Sequence, residues 1–199
     1  MPHREMVKMA GMPAIRKWVV CIAGFLQDEG TPGGLVAVWR ELHRLHAAPD
    51  VRVEFRAWNA RARSLAELIW RLRPAEDRPQ IVICAYSWGG ASAQNLAKQL
   101  GRRGLVVDRM VLADPVYRHG YWCGNWRALV PWSRIVVPHN VRRVAWFRQT
   151  VSRPRGHDLV AEDPDATTIE PPEVVKVDHT YIDDLRAFHD SAIAAAGVV

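Results

Sequence analysis

Residues 81–86 read IVICAY, an apolar run with no polar residue to turn toward water. A strand of this kind is buried on both faces, as happens when helices cover both sides of a parallel sheet. Three further segments fit the same sheet. WVVCIAGF, 18–25, and VVDRMVLA, 106–113, are rich in β-branched residues. VRVEFRAW, 51–58, alternates apolar and polar residues and so belongs toward an edge.

Helical spacing fills the gaps between these runs. Leu35, Val38, Trp39, Leu42 and Leu45 define a helix over 33–47, with Thr31 as its cap and Pro32 in its first position. Leu65, Leu68, Ile69 and Leu72 define another over 60–73. A third starts after SWGG and ends near Arg102, where Gly101 and Gly104 are stop signals. Alternating strands and helices predict a three-layer α/β/α sandwich with a mostly parallel sheet and right-handed crossovers. Residues 115–140, rich in aromatics and turn formers, read as an excursion outside the sheet. VRRVAWF, 141–147, is the next strand, 149–172 a long polar loop, EVVKV, 173–177, the last strand, and 180–196 the final helix. The expectation is a single domain over 15–197 behind a loose leader, 1–14.

At 199 residues and 49% hydrophobic, the chain is long enough to bury a core without metals or disulfides. The three cysteines, Cys21, Cys84 and Cys123, form no disulfide framework and suit a reducing, cytoplasmic compartment. The apolar stretch 18–26 is too short to span a membrane. The net charge of +6 comes with no nucleic-acid recognition motif, so no specific nucleic-acid partner is expected. There is no phosphate-binding loop, no dinucleotide fingerprint and no metal-ligand spacing, so neither cofactor nor metal is expected. Oligomeric state is not readable.

The chemistry is concentrated at ICAYSWGG, 83–90. A serine between a buried strand and a helix sits on a sharp turn that lifts its hydroxyl clear of the sheet. Small residues two positions on either side let strand and helix approach. The usual pattern is G-x-S-x-G; here Ala85 stands in the place of the first glycine. With this elbow and this order of elements, the chain resembles the α/β-hydrolase superfamily of esterases, lipases and thioesterases from 18 to 179. The resemblance implies a minimal form of that fold, without a large lid domain.

The resemblance also implies the order serine, acid, histidine. Ser87 is the candidate nucleophile. His179, between the last strand and the last helix, is the candidate base; His157 is its rival. Two acids compete. Asp114 ends the strand 106–113 in a Leu-Ala-Asp-Pro turn, and Asp158 follows the next strand. The oxyanion donors would be the backbone N–H groups of Trp88 and of Phe25 or Leu26, behind Gly24. Ala23 stands where the family often has histidine. Tyr86, Trp122 and Trp126 are candidate substrate-lining residues. The expected reaction is cleavage of a small apolar carboxylic ester or thioester through an acyl-enzyme. The alternative is a non-catalytic interaction module of the same fold.

Overall fold

The computed structural model describes residues 13–25, 27–117 and 133–197. Most of the expected leader, Leu26 and the aromatic stretch 118–132 lie outside the described residues.

The strands are β1 (Lys17–Ile22), β2 (Val51–Arg56), β3 (Gln80–Tyr86), β4 (Val107–Ala113), β5 (Arg134–Val137), β6 (Val141–Gln149), β7 (Asp158–Ala161), β8 (Thr168–Ile169) and β9 (Glu173–Val175). The helices are α1 (Gly34–Leu45), α2 (Ala62–Leu72), α3 (Gly89–Gly101) and α4 (Arg186–Ala195), with a 3-10 turn at His179–Asp184. The main sheet runs β2-β1-β3-β4-β6-β8, with β9 also on β6. Every pairing is parallel. The result is the three-layer α/β/α sandwich expected of a minimal α/β-hydrolase fold, and β2 takes the edge that its alternating pattern implies.

Strand alternation separates two cores. Trp18, Val20, Ile81, Ile83, Met110 and Leu112 face one side, where Leu65, Ile69, Leu96 and Leu100 of α2 and α3 cover them. Val19, Cys21, Val82, Cys84 and Val111 face the other, under Leu35 and Leu42 of α1 and Phe188 and Ala192 of α4. The chain winds outward in opposite directions from β1 and β3. Their carboxyl ends therefore open a crevice at the switch point, the place where open α/β sheets bind ligands.

Three expectations change at the level of elements. The helix after β1 starts at Gly34 rather than behind Thr31, whose hydroxyl donates instead to Asp28 Oδ1 at 3.0 Å. The helix end packs so tightly that a Cβ on Gly34 would lie 1.7 Å from the Asp183 carbonyl oxygen. The expected loop 149–172 contains β7, which pairs with β5 in a small second sheet, and β8. β8 and β9 lie along the same edge of β6 and are interrupted at Pro171 and Pro172, which lack the N–H that a ladder needs. The expected final helix is split: Leu185 takes an extended conformation between the 3-10 turn and α4.

Ile83 is fully buried at the centre of β3. Ile83→Ala should cost about 2–5 kcal/mol through lost burial and a residual cavity, read as a lower midpoint in urea unfolding.

Candidate active site

β3 ends at Tyr86, and the chain turns on Ser87 with φ 53° before α3 begins at Gly89. A non-glycine residue at positive φ is costly and is held only where its surroundings fix it. Here Ser87 N–H donates to the Ala113 carbonyl at 3.0 Å, and Val116 N–H donates to the Ser87 carbonyl at 2.8 Å. The two glycines after the elbow serve close packing. A Cβ on Gly89 would lie 2.3 Å from the Ile22 carbonyl oxygen, and one on Gly90 would lie 2.5 Å from Pro115 Cβ.

The adjacent strand ends the same way. Asp114 follows β4 with φ 41° and is fully buried. Because β3 and β4 are parallel neighbours, their carboxyl-end residues emerge side by side. His179 comes in from the opposite end of the chain on the 3-10 turn. Its Nε2 lies 2.8 Å from Ser87 Oγ, and its Nδ1 lies 2.6 Å from Asp114 Oδ2. The structure thus brings together Ser87, His179 and Asp114, each under a tenth exposed. With Asp114 accepting at Nδ1, the neutral imidazole carries its proton there and leaves Nε2 free to accept from the serine hydroxyl.

The other candidates lie elsewhere. Asp158 is in β7, where its carboxylate pairs with the Arg148 guanidinium on β6. The eight residues between β6 and β7 carry it into the small second sheet. His157 is buried, and its Nδ1 accepts from Tyr117 N–H at 2.9 Å. Tyr86, expected to line the substrate site, faces inward. Its hydroxyl donates to the His179 carbonyl at 2.9 Å, and its ring lies 5.3 Å from the imidazole. Burial and the surrounding carboxylates, led by Asp183, push the phenol well above its usual range, so it stays a donor. Trp122 and Trp126 lie outside the described residues.

Among the described residues the backbone N–H groups of Phe25 and Trp88 make no hydrogen bond. Trp88 is the N-cap of α3, so its N–H also lies at the positive end of that helix. Gly24 holds the first loop against Ser87: a Cβ there would lie 3.2 Å from Ser87 Cβ. The rings of Phe25, Trp58 and Trp88 form a triangle, with centroids 4.7 Å apart for Phe25–Trp88, 5.1 Å for Trp58–Trp88 and 5.5 Å for Phe25–Trp58. Phe25 is 48% exposed, so the triangle offers an apolar, solvent-facing wall beside Ser87.

One organising residue gave no signal in the sequence. Gln149, the last residue of β6, is fully buried. It donates to Asp114 twice, from Nε2 at 3.0 Å and from its backbone N–H at 3.3 Å. Its Oε1 accepts from the N–H groups of Val151 and Ser152. Ser152 Oγ in turn accepts from His179 N–H at 2.8 Å. Gly156 N–H completes the set at 2.9 Å from Asp114 Oδ1. A lone glutamine at a strand end has no spacing or neighbour pattern to mark it.

Neither a protein-family model nor a curated protein matches the chain. Among solved structures it is similar to YbtT, a type II thioesterase from the yersiniabactin NRPS/PKS biosynthetic pathway. The identity is 13%, the TM-score 0.49, and the coverage 92% of this chain and 94% of that one. It is also similar to the NocB thioesterase domain from the nocardicin cluster, at 19% identity and TM-score 0.45, covering 93% and 96% of the two chains. Likenesses of this degree carry no inference about activity or site residues. Among the described residues no helix is long and apolar enough to cross a membrane, and no group of three or more His, Cys, Asp or Glu could hold a metal ion.

Gln149→Leu should lower the stability by about 2–3 kcal/mol, because it strands buried partners of the amide. In a thermal melt of a chain this size, that is a fall of roughly 4–12 °C.

Proposed function

We propose that this chain is a serine hydrolase that cleaves a small apolar carboxylic ester or thioester through an acyl-enzyme on Ser87. The observation that carries the reading is the pair of short hydrogen bonds that joins Ser87, His179 and Asp114 in one line.

The proposed roles are as follows. His179 Nε2 takes the hydroxyl proton as Ser87 Oγ attacks the substrate carbonyl. Asp114 holds the ring in the required tautomer and balances the imidazolium charge. The N–H groups of Phe25 and Trp88 receive the oxyanion, without reorganising as the charge develops. As the tetrahedral species collapses, the imidazolium gives its proton to the departing alkoxide or thiolate. Water then enters and loses a proton to the same nitrogen. It attacks the acyl carbon, and the carboxylic acid leaves as Ser87 recovers its proton.

The substrate class rests on the aromatic triangle. Phe25, Trp58 and Trp88 give an acyl group an apolar surface next to the reacting carbonyl and offer no charged partner. The buried free thiols Cys21 and Cys84, side by side across β1 and β3, accord with a cytoplasmic location.

The test is a fluorophosphonate probe together with p-nitrophenyl acetate turnover. Wild type should label. Ser87→Ala should abolish labelling, and His179→Ala and Asp114→Asn should each lower kcat by about 10³–10⁴-fold. Asp158→Asn, which touches only the Arg148 pair, should stay within about twofold, since nothing in the transition state depends on it. Failure of the folded wild type to label with either a bulky or a small probe would sink the proposal and favour a non-catalytic binding role.

A further inference from the structure

The loop after β1, which carries Phe25, and the turn that carries His179 are joined by two polar side chains outside the line of reacting groups. Asp183, in the same 3-10 turn as His179, is 1% exposed. Its Oδ2 accepts from Gln27 Nε2 at 3.1 Å and from Leu35 N–H, in the first turn of α1, at 3.0 Å. Gln27 Oε1 accepts from Gly24 N–H at 3.1 Å, and Gln27 N–H closes the turn on the Gly24 carbonyl at 3.3 Å.

The direction of these bonds is forced. Oδ2 of Asp183 serves only as an acceptor here, so Gln27 must present its NH₂ to it and therefore its oxygen to Gly24. The carboxyl group thus decides how the glutamine amide faces, and the amide decides where Gly24 N–H points. The next N–H along the chain is that of Phe25. Asp183 is also poorly provided for. Its Oδ1 is buried with no hydrogen-bond partner, and burial raises its pKa above the usual carboxylate range. A half-satisfied buried carboxyl costs stability. Capping α1 would need only the Leu35 bond.

We propose that Asp183 and Gln27 are positioning residues that hold the Gly24–Phe25 turn so that the Phe25 N–H faces the oxyanion formed on Ser87. This rests on the serine-hydrolase reading. The link fixes the donor loop to the turn that bears the base, so donor and base keep a constant separation. The ring contacts of Phe25 with Trp88 and Trp58 hold the other flank of the same turn.

The variants are Gln27→Leu, Asp183→Asn and Asp183→Ala in the full chain. Gln27→Leu removes the link to Gly24 and leaves the Asp183–Leu35 cap in place. It should lower kcat for p-nitrophenyl acetate by about 10–100-fold and leave KM within about twofold, because a displaced donor is missed chiefly in the transition state. Affinity for phenylboronic acid, which forms a tetrahedral adduct on the serine, should fall by a similar factor. The Gly24 amide should lose protection from hydrogen exchange by NMR. Asp183→Asn keeps an acceptor oxygen and should remain within about threefold of wild type, whereas Asp183→Ala should fall with Gln27→Leu. Wild-type kcat and boronate affinity in a folded Gln27→Leu, with wild type active and Ser87→Ala inactive, would overturn this inference alone. A wild type with no serine-dependent turnover or labelling would overturn the serine-hydrolase reading and this inference with it.

Discussion

The Asp114 carboxylate is the tie on which the site depends. It is fully buried and accepts four hydrogen bonds, from His179 Nδ1, Gln149 Nε2, Gln149 N–H and Gly156 N–H. Those donors come from three stretches of chain, of which only the end of β6 belongs to the main sheet. The end of β6, the loop before β7 and the turn before α4 all converge on one group. A charge in a dry interior is tolerable only when its lone pairs are met. Meeting them is what brings the irregular C-terminal third of the described chain into register with the regular first two-thirds. Gly156 shows how tight the convergence is: a Cβ there would lie 2.4 Å from Asp114 Oδ1.

The sheet supplies the other half of the arrangement. In a parallel sheet all carboxyl ends lie on one side, so β1, β3 and β4 deliver the Gly24–Phe25 turn, Ser87 and Asp114 to the same rim. No long-range search is needed to bring these three together, because strand register does it. His179 alone must be carried across, and the Tyr86 hydroxyl, Ser152 Oγ and Asp114 hold it from three directions.

This division explains what could be read from the sequence. β1, β3, β4 and α3 are legible because buried strands and amphipathic helices leave periodic signals. The same context marks Ser87 and His179 as candidates, since each follows a strand on the carboxyl rim. The acid stays ambiguous because two aspartates satisfy the same positional rule. The structure separates them by the Gln149 network on one side and the Arg148 pair on the other. β7 and β8 are hidden: they are two to four residues long and are set among Pro, Gly and Asp, which read as loop. Gln27, Gln149 and Asp183 leave no trace at all. Their meaning lies in buried hydrogen bonds between distant segments, and a single polar letter does not encode a partner. The role of Tyr86 is no easier to read: alternation along β3 turns its side chain to the face that includes Phe188, where its hydroxyl meets the His179 carbonyl.

The positive φ angle at Ser87 also bears on how such a chain would age under mutation. It holds an L side chain in a conformation that glycine adopts freely, so the residue sits at a local energetic disadvantage relative to that simpler one. Asp114 carries the same backbone strain, but its carboxylate meets four buried donors that glycine would strand. A lineage with no need of the hydroxyl would drift at Ser87 toward Gly and gain thermal resistance as it did, while the aspartate would stay. The serine at the elbow is thus a debt carried by the scaffold, and the aspartate beside it is not.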